Sequence, residues 1–237
     1  MNTSANKVAL ITGASQGIGA GLVKGFLDRG FSVVANSRGI KPSQSSDVVA
    51  VGGDIADPNI AEQIVKAAID RFGRIDTLVN NAGIFIAKPF LEYSEADFAA
   101  MIAVNLAGFF HISQRAARHM LQQGSGHIVN ITTTLAELPQ TAVPAALATL
   151  TKGGLNAITR SLAIEYAAKG VRVNAVSPGV IRTPMHAPET HDDLARLHPM
   201  QRMGEISEVV DAVLYLETAG FVTGEILHVD GGQHAGR

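Results

Sequence analysis

The sequence predicts an α/β chain in which about seven parallel strands form one doubly wound sheet with helices on both faces. Three observations carry this. Short β-branched runs alternate with longer helical patterns along the whole chain. The strand-like runs are nearly continuous in apolar residues, the pattern of strands covered on both faces. A glycine-rich turn stands between the first run and the helical pattern that follows it.

The elements follow in order. KVALIT (Lys7 to Thr12), FSVVANS (Phe31 to Ser37), DVVAV (Asp47 to Val51), RIDTLVN (Arg74 to Asn80), GHIVNIT (Gly126 to Thr132) and VRVNAVS (Val171 to Ser177) read as buried strands, and EILHVDGG supplies a closing one. Asp57 before Pro58 offers a helix N-cap with proline at the first helical position. Ser94 with Asp97 three residues on is a capping-box pattern. Gly124 and Gly170 are placed to close helices. RGIKPSQSS, between the second and third strands, has no apolar period and predicts a loop in place of a crossover helix. No linker, repeat or low-complexity segment interrupts the pattern, so residues 1–237 are expected to form one domain.

Composition narrows the classes. Apolar residues make up 46% and charged residues 17%, the balance of a globular chain with a sizeable core. A net charge of −2 gives no electrostatic reason to expect nucleic acid or an anionic membrane as partner. With no cysteine there is no disulfide, thiolate nucleophile or Cys-ligated metal. The opening MNTSANKVALIT lacks a long apolar segment and no run approaches the length of a membrane span, so a soluble, cytoplasmic protein is expected.

ITGASQGIGAG follows the first strand and opens a helix. Gly13, Gly17 and Gly19 let backbone approach a pyrophosphate, for which the helix N-terminus supplies N–H donors. A tight turn packing helix on strand would use the same glycines; the position between strand and helix favours the phosphate reading. At the end of the second strand Ser37 stands where an NAD site usually has a carboxylate, and Arg38 follows. A guanidinium suits a 2′-phosphate, so NADP(H) is favoured over NAD(H).

TGASQGIG (Thr12 to Gly19), NNAG (Asn80 to Gly83), GHIVNITT (Gly126 to Thr133), SLAIEYAAKGVRVNAVSPGVIRTP (Ser161 to Pro184) and GEILHVDGG (Gly224 to Gly232) together resemble the short-chain dehydrogenase/reductase family, in its reductase-like branch. The resemblance spans nearly the whole chain, with the motifs in the family's order. It implies a Rossmann-type domain, hydride transfer between a nicotinamide cofactor and a carbonyl or alcohol, and a homo-tetramer or homo-dimer. By that resemblance Ser15, Gln16 and Ile18 complete the phosphate turn. Asp54, followed by Ile55, bonds the adenine amino group, and Asn80, Asn81, Ala82 and Gly83 form a strand end beneath the ribose. Asn105 holds a water on the proton path, and Lys152 grips the nicotinamide ribose. Ser177, Pro178, Gly179 and Ile181 face the carboxamide, and Thr183 contacts the carboxamide or diphosphate.

Two positions depart from the family's pattern. Four residues before Lys152, where the family's YxxxK places tyrosine, this chain has Ala148, whose methyl group cannot move a proton. Thr133 matches the catalytic serine and keeps the hydroxyl; Thr132 and Thr134 could replace it in a shifted register. The stretch from Thr133 to Lys152 is also about two residues longer than the resemblance leads one to expect. Tyr93, near the pocket, Tyr166, packed or facing a subunit neighbour, and Tyr215, on a late helix and expected in the protein core, are weak substitutes as proton donor. Glu137, His186, and Lys152 acting through a water on Asn105 are the alternatives, the last two ranking equal. Residues 183–205 are expected to form a substrate lid. Its His186, His191 and His198 lack the spacing of a metal site, so no metal is expected, and its Met185, Met200 and Met203 suit an adaptable pocket wall, though core packing would use them equally. Phe85, Leu135 and Leu138 are expected to shape the pocket with Met185. The reading is an NADP(H)-dependent oxidoreductase with an atypical site. Its rivals are a cofactor-binding protein without turnover and a lyase or isomerase using His186 or Glu137.

Overall fold

A computed structural model describes residues 6–236. Seven strands, β1 (Val8–Thr12), β2 (Ser32–Ser37), β3 (Val48–Gly52), β4 (Thr77–Asn80), β5 (Gly126–Ile131), β6 (Val171–Pro178) and β7 (Ile226–Val229), form one parallel sheet in the order β3-β2-β1-β4-β5-β6-β7. The helices are α1 (Gly17–Asp28), α2 (Pro58–Phe72), α3 (Glu95–Met101), α4 (Phe109–Gln123), α5 (Ala146–Tyr166), α6 (His191–Ala195) and α7 (Ile206–Thr218). This is the Rossmann-type arrangement that the sequence predicts. One apolar layer packs α2 and α4 on the sheet through Ile64, Ile112, Ala116 and Met120. The opposite layer packs α1 and α7 through Leu22, Phe26, Val209 and Val213. Strand order reverses at β1, between β2 and β4, which opens a crevice at the strands' carboxyl ends.

The local signals act as their chemistry requires. Asp57 caps α2 by accepting from Asn59 N, with Pro58 at the first turn. Ser94 and Asp97 form both halves of a capping box on α3. Gly124 and Gly170 adopt the left-handed conformation at φ +69° and +78°. The expected loop between β2 and β3 carries no helix, and β3 is correspondingly only part-buried while β1 and β4 are fully buried.

Two expectations need correction. Tyr215 is 57% exposed on α7, because its neighbours Val213, Leu214 and Leu216 take the buried stripe of that helix. Residues Glu95–Gln123 run as one helical tract of 29 residues, through α3, a π-helical segment (Ile102–Gly108) and α4, whose most apolar 18 residues have mean hydropathy 1.4. By length and composition that tract could cross a membrane; here its α4 part buries one face against α2 and the sheet. Of the two uses open to these methionines, Met203 takes core packing: it is buried and does not line the cavity.

Candidate active site

The crevice is a cavity of about 590 Å³ that runs from the glycine turn to Thr133, Ala148 and Lys152. Its first end is made mostly of backbone. A Cβ on Gly19 would lie 2.1 Å from the carbonyl oxygen of Gly13, and one on Gly13 2.9 Å from Ala82 Cα, so strand, turn and helix close on one another only without side chains. Gln16 is the N-cap of α1 in extended conformation and makes no side-chain cap bond. The N–H groups of the first turn are therefore open to an anion. Ser15, Gly17 and Ile18 line the same wall, and Thr183 sits on Gly17, 3.5 Å from where its Cβ would be.

The end of β4 clasps this turn. Thr12 Oγ1 accepts from Asn81 N at 3.1 Å and Ala82 N at 3.0 Å. Asn81 Nδ2 donates to Thr12 O at 2.9 Å and Gly13 O at 3.2 Å. Asn81 lines the cavity, but its amide nitrogen is spent on holding the turn. Asn80 lies off the cavity altogether. It is buried, donating to Ser113 Oγ and Asn130 Oδ1, each at 2.9 Å. Asn130 in turn donates to Thr159 Oγ1 at 2.8 Å. This network ties β4 and β5 to α4 and α5 and so fixes the helix that carries Lys152. No single-sequence signal separates Asn80 from its neighbour; the pleat sends successive side chains to opposite faces.

Ser37, Arg38, Asp54 and Ile55 line the cavity at the ends of β2 and β3. Ser37 Oγ is buried with no hydrogen-bond partner among the described residues. Arg38 is exposed beside it. Asp54 Oδ1 accepts from Ala56 N at 3.0 Å.

At the other end only one of the three threonines keeps an available hydroxyl. Thr132 Oγ1 donates to Val176 O at 3.3 Å. Thr134 is buried and donates to Asp230 Oδ2 at 3.1 Å. Thr133 lines the cavity, and its oxygen accepts only a long contact from Leu135 N at 3.4 Å, so its proton can be given elsewhere. The long stretch that follows is taken up by a 3₁₀ turn (Thr134–Ala136) and an antiparallel bridge between Gln140 and Val143 before α5 begins.

Lys152 and Ala148 lie one turn apart on α5 and both line the cavity. Lys152 Nζ donates to Ile131 O at 2.7 Å. Desolvation pushes its pKa down to about 8. Ala148 packs with Met101, Ala145 and Leu147 under an apolar patch that includes Leu135 and Val143. Asn105 lies in the π-helical segment and is not a lining residue. Its Oδ1 accepts from Ile84 N at 2.9 Å, and its Nδ2 donates to Ile84 O at 3.0 Å and Thr151 Oγ1 at 3.2 Å. Its oxygen and Lys152 Nζ lie 3.3 and 3.1 Å from the position of a Cβ on Gly83, so that glycine separates them.

Pro178, Gly179 and Ile181 leave β6 along the cavity. Gly179 is packed against His198, whose Nε2 would be 2.6 Å from a Cβ there. His198 is buried and accepts from Val180 N at 2.9 Å, so this end of the segment 183–205 is anchored in the fold. His191 holds the lid's turn together, contacting Arg182 through Nδ1 and His186 O through Nε2. His186 lines the cavity, and burial, then His191, lower its pKa. Phe85, Leu135 and Met185 line the cavity; Leu138 does not, and Met200 is exposed outside it. Glu137 is also outside, paired with His228 at 2.7 Å, because the 3₁₀ turn directs it towards β7. Tyr93 donates to Ile86 O at 2.8 Å, and Tyr166 packs against the apolar core.

A family model described as enoyl-(acyl carrier protein) reductase matches residues 13–234. The chain is a member of the short-chain dehydrogenase/reductase family. An oxidoreductase of Thermotoga maritima, itself uncharacterised, is 38% identical over 97% of this chain and 98% of its own length. ElxO with NADP bound superimposes with a TM-score of 0.91 at 30% identity, covering 98% of this chain and 100% of that one, and a tyrosine-to-phenylalanine variant of ElxO with NADPH bound matches equally. The 3-ketoacyl-(acyl-carrier-protein) reductase of Brucella melitensis, complexed with NADH, gives a TM-score of 0.90 at 31% identity over 98% of this chain and 100% of its own. The protein is thus an oxidoreductase of this family by sequence and by fold.

Proposed function

We propose that the protein transfers a hydride between NADP(H) and a carbonyl or alcohol substrate, at a site where Ala148 stands in place of the family's tyrosine. The observation that carries the reading is the continuity of the cavity, which joins the glycine turn to Thr133 and Lys152 without a break. The residues fit a dinucleotide: the turn is a cradle that Cβ atoms would fill, and the buried Ser37 hydroxyl lacks a partner beside an exposed arginine. Gly13 to Gly19 would hold the pyrophosphate, Ser37 and Arg38 the 2′-phosphate, Asp54 and Ile55 the adenine, Ala82 and Gly83 the ribose, and Pro178, Gly179, Ile181 and Thr183 the nicotinamide side. The bound nicotinamide supplies or accepts the hydride. Relatives carry both NADP and NADH; Arg38 is what favours NADP(H) here.

The chain's own residues manage the oxygen and its proton. Thr133 donates its hydroxyl proton to the carbonyl oxygen and orients it. Ala148 offers no acid. Lys152 spends one N–H on Ile131 O, and as an ammonium it has two more. With a pKa of about 8 it gives up a proton readily near neutral pH, to the developing alkoxide directly or through a water. His186 is the poorer donor, because its lowered pKa leaves it neutral at pH 7. Asn105 acts as a positioning residue that fixes Ile84 and α5. The wall of Leu135, Val143, Ala148 and Met185 suits an uncharged, largely apolar carbonyl compound. Exposed Phe110, Leu150 and Ile164 on α4 and α5 support a homo-dimer or homo-tetramer, and a soluble, cytoplasmic setting goes with this reading.

The test is NADPH oxidation against a panel of ketones and aldehydes, with NADPH binding followed separately by fluorescence. Turnover with any member supports the reading. Tight NADPH binding with no turnover across the panel overturns it in favour of a cofactor-binding protein, the reading that Ala148 by itself favours. A lyase or isomerase would have to rely on His186, since Glu137 faces away from the cavity.

A further inference from the structure

The loop after Thr133 meets the C-terminal turn behind the cavity wall. Glu137 ends the 3₁₀ turn Thr134–Ala136, His228 lies on β7 paired with Ser177 of β6, and His234 lies in a second 3₁₀ turn (Gln233–Ala235). One ligand atom from each of the three lies within 4.8 Å of the others. Both imidazoles address the same carboxylate oxygen: Glu137 Oε2 is 2.7 Å from His228 Nε2 and 3.9 Å from His234 Nδ1. The other oxygen, Oε1, is turned to the Arg160 guanidinium at 3.6 Å. The two rings stack with centroids 3.7 Å apart and planes 12° apart. Each imidazole binds a metal through a nitrogen lone pair in its own ring plane, so the near-parallel rings must tilt out of the stack when the ion enters.

We propose that Glu137, His228 and His234 form a binding site for a divalent transition metal, with Zn²⁺ the best match. Two imidazole nitrogens and one carboxylate oxygen suit a borderline cation that keeps a fourth position for water; Mg²⁺ and Ca²⁺ prefer all-oxygen shells. Tetrahedral bonds of about 2.0–2.2 Å separate ligand atoms by roughly 3.4 Å. Oε2 and His228 Nε2 must part slightly from 2.7 Å, and His234 Nδ1 must close from 3.9 Å. His234, with its side chain 44% exposed on the terminal turn, can make that adjustment. Arg160 on Oε1 restrains the carboxylate with Oε2 facing inward.

The site is prepared from both sides. Asp230 Oδ2 accepts from Thr134 Oγ1 at 3.1 Å and from His234 N at 2.7 Å, so the loop and the tail already share one carboxylate. A metal on Glu137, His228 and His234 adds a second clasp to the loop that begins at Thr133. The role is structural: the ion would sit outside the cavity and touch no reacting atom. The expectation of no metal rested on the spacing of His186, His191 and His198 in the lid; these three ligands are scattered in sequence and meet only through the β6–β7 pairing.

The experiment uses the full chain, stripped with a chelator and dialysed, then titrated with ZnCl₂ by calorimetry and separately with CoCl₂ by visible absorption. One Zn²⁺ per chain, a raised Tm and the intense d–d bands of tetrahedral Co²⁺ are expected. His234→Ala, at an exposed position, and Glu137→Gln should each weaken Zn²⁺ by at least about tenfold, with far-UV circular dichroism checking the fold. His191→Gln, in the lid, should leave affinity unchanged. Zn²⁺ binding that is absent, that survives both cluster variants, or that is lost with His191→Gln overturns the proposal.

Discussion

The two ends of the cavity are built by different means. At the glycine turn the wall is backbone, packed so closely that a Cβ on Gly19 would come within 2.1 Å of a carbonyl oxygen. At Thr133, Ala148 and Lys152 the wall is made of single side chains carried by a helix and a loop that are fixed from behind. The first end cannot change a residue without moving the chain. The second can lose a hydroxyl or a phenol and keep its shape, because the network of Asn80, Asn130, Thr159 and Ser113 holds α4 and α5 without them. A fold can therefore retain its cofactor end while its chemistry is altered at one position.

Four experiments break or sharpen this contrast. Ala148→Tyr puts a phenol into the cavity one turn before Lys152, and NADPH-dependent carbonyl reduction should rise by about 10²–10⁴ in kcat, the worth of a general acid. No rise would mean that the two ends do not serve one redox reaction. Arg38→Ala should weaken NADPH by about 10–100-fold, the loss of charge-assisted hydrogen bonds, and leave NADH unchanged in parallel fluorescence titrations. Equal losses for both would remove the argument for NADP(H).

The third concerns pH. In the proposed reaction Lys152 would donate as the ammonium, and burial lowers its pKa to about 8. In kinetics, kcat/KM for reduction should hold below pH 8 and fall as the pH rises through it, by about tenfold per unit. An unaltered profile in Lys152→Met would assign the titration elsewhere. The smallest effect contrasts the two ends through stability. Gly19→Ala should cost roughly 1–3 kcal/mol in urea unfolding, whereas Ala148→Ser, which has the cavity beside it, should stay within about 1 kcal/mol.

Much of the frame was legible beforehand. Asp57, Ser94, Gly124 and Gly170 mark helix ends through local hydrogen bonding and left-handed backbone, so their signals need no tertiary contact. The helix-free connection after β2 was legible for the same reason, as a stretch without apolar period. The site was legible in its lining but not in its wiring. Ser37, Arg38, Thr133 and Lys152 do meet in one cavity. Asn80 and Asn81 are adjacent in sequence, yet one is sealed inside the network and the other clasps the turn. His198 shares a lid with His186 but is buried under Gly179. Glu137 follows the threonines and still faces β7.

The sequence by itself determined the order of strands and helices, the glycine cradle, and the presence of an alanine four residues before Lys152. These are properties of periodicity and of residue type, carried by each segment alone. Only the tertiary structure decided which of three neighbouring threonines keeps a free hydroxyl and how far the ammonium of Lys152 is desolvated. It also decided that Glu137 joins two histidines about ninety residues away. Each of those depends on a partner supplied by another strand or turn, and a hydrogen bond or a lost hydration shell exists only once that partner has arrived.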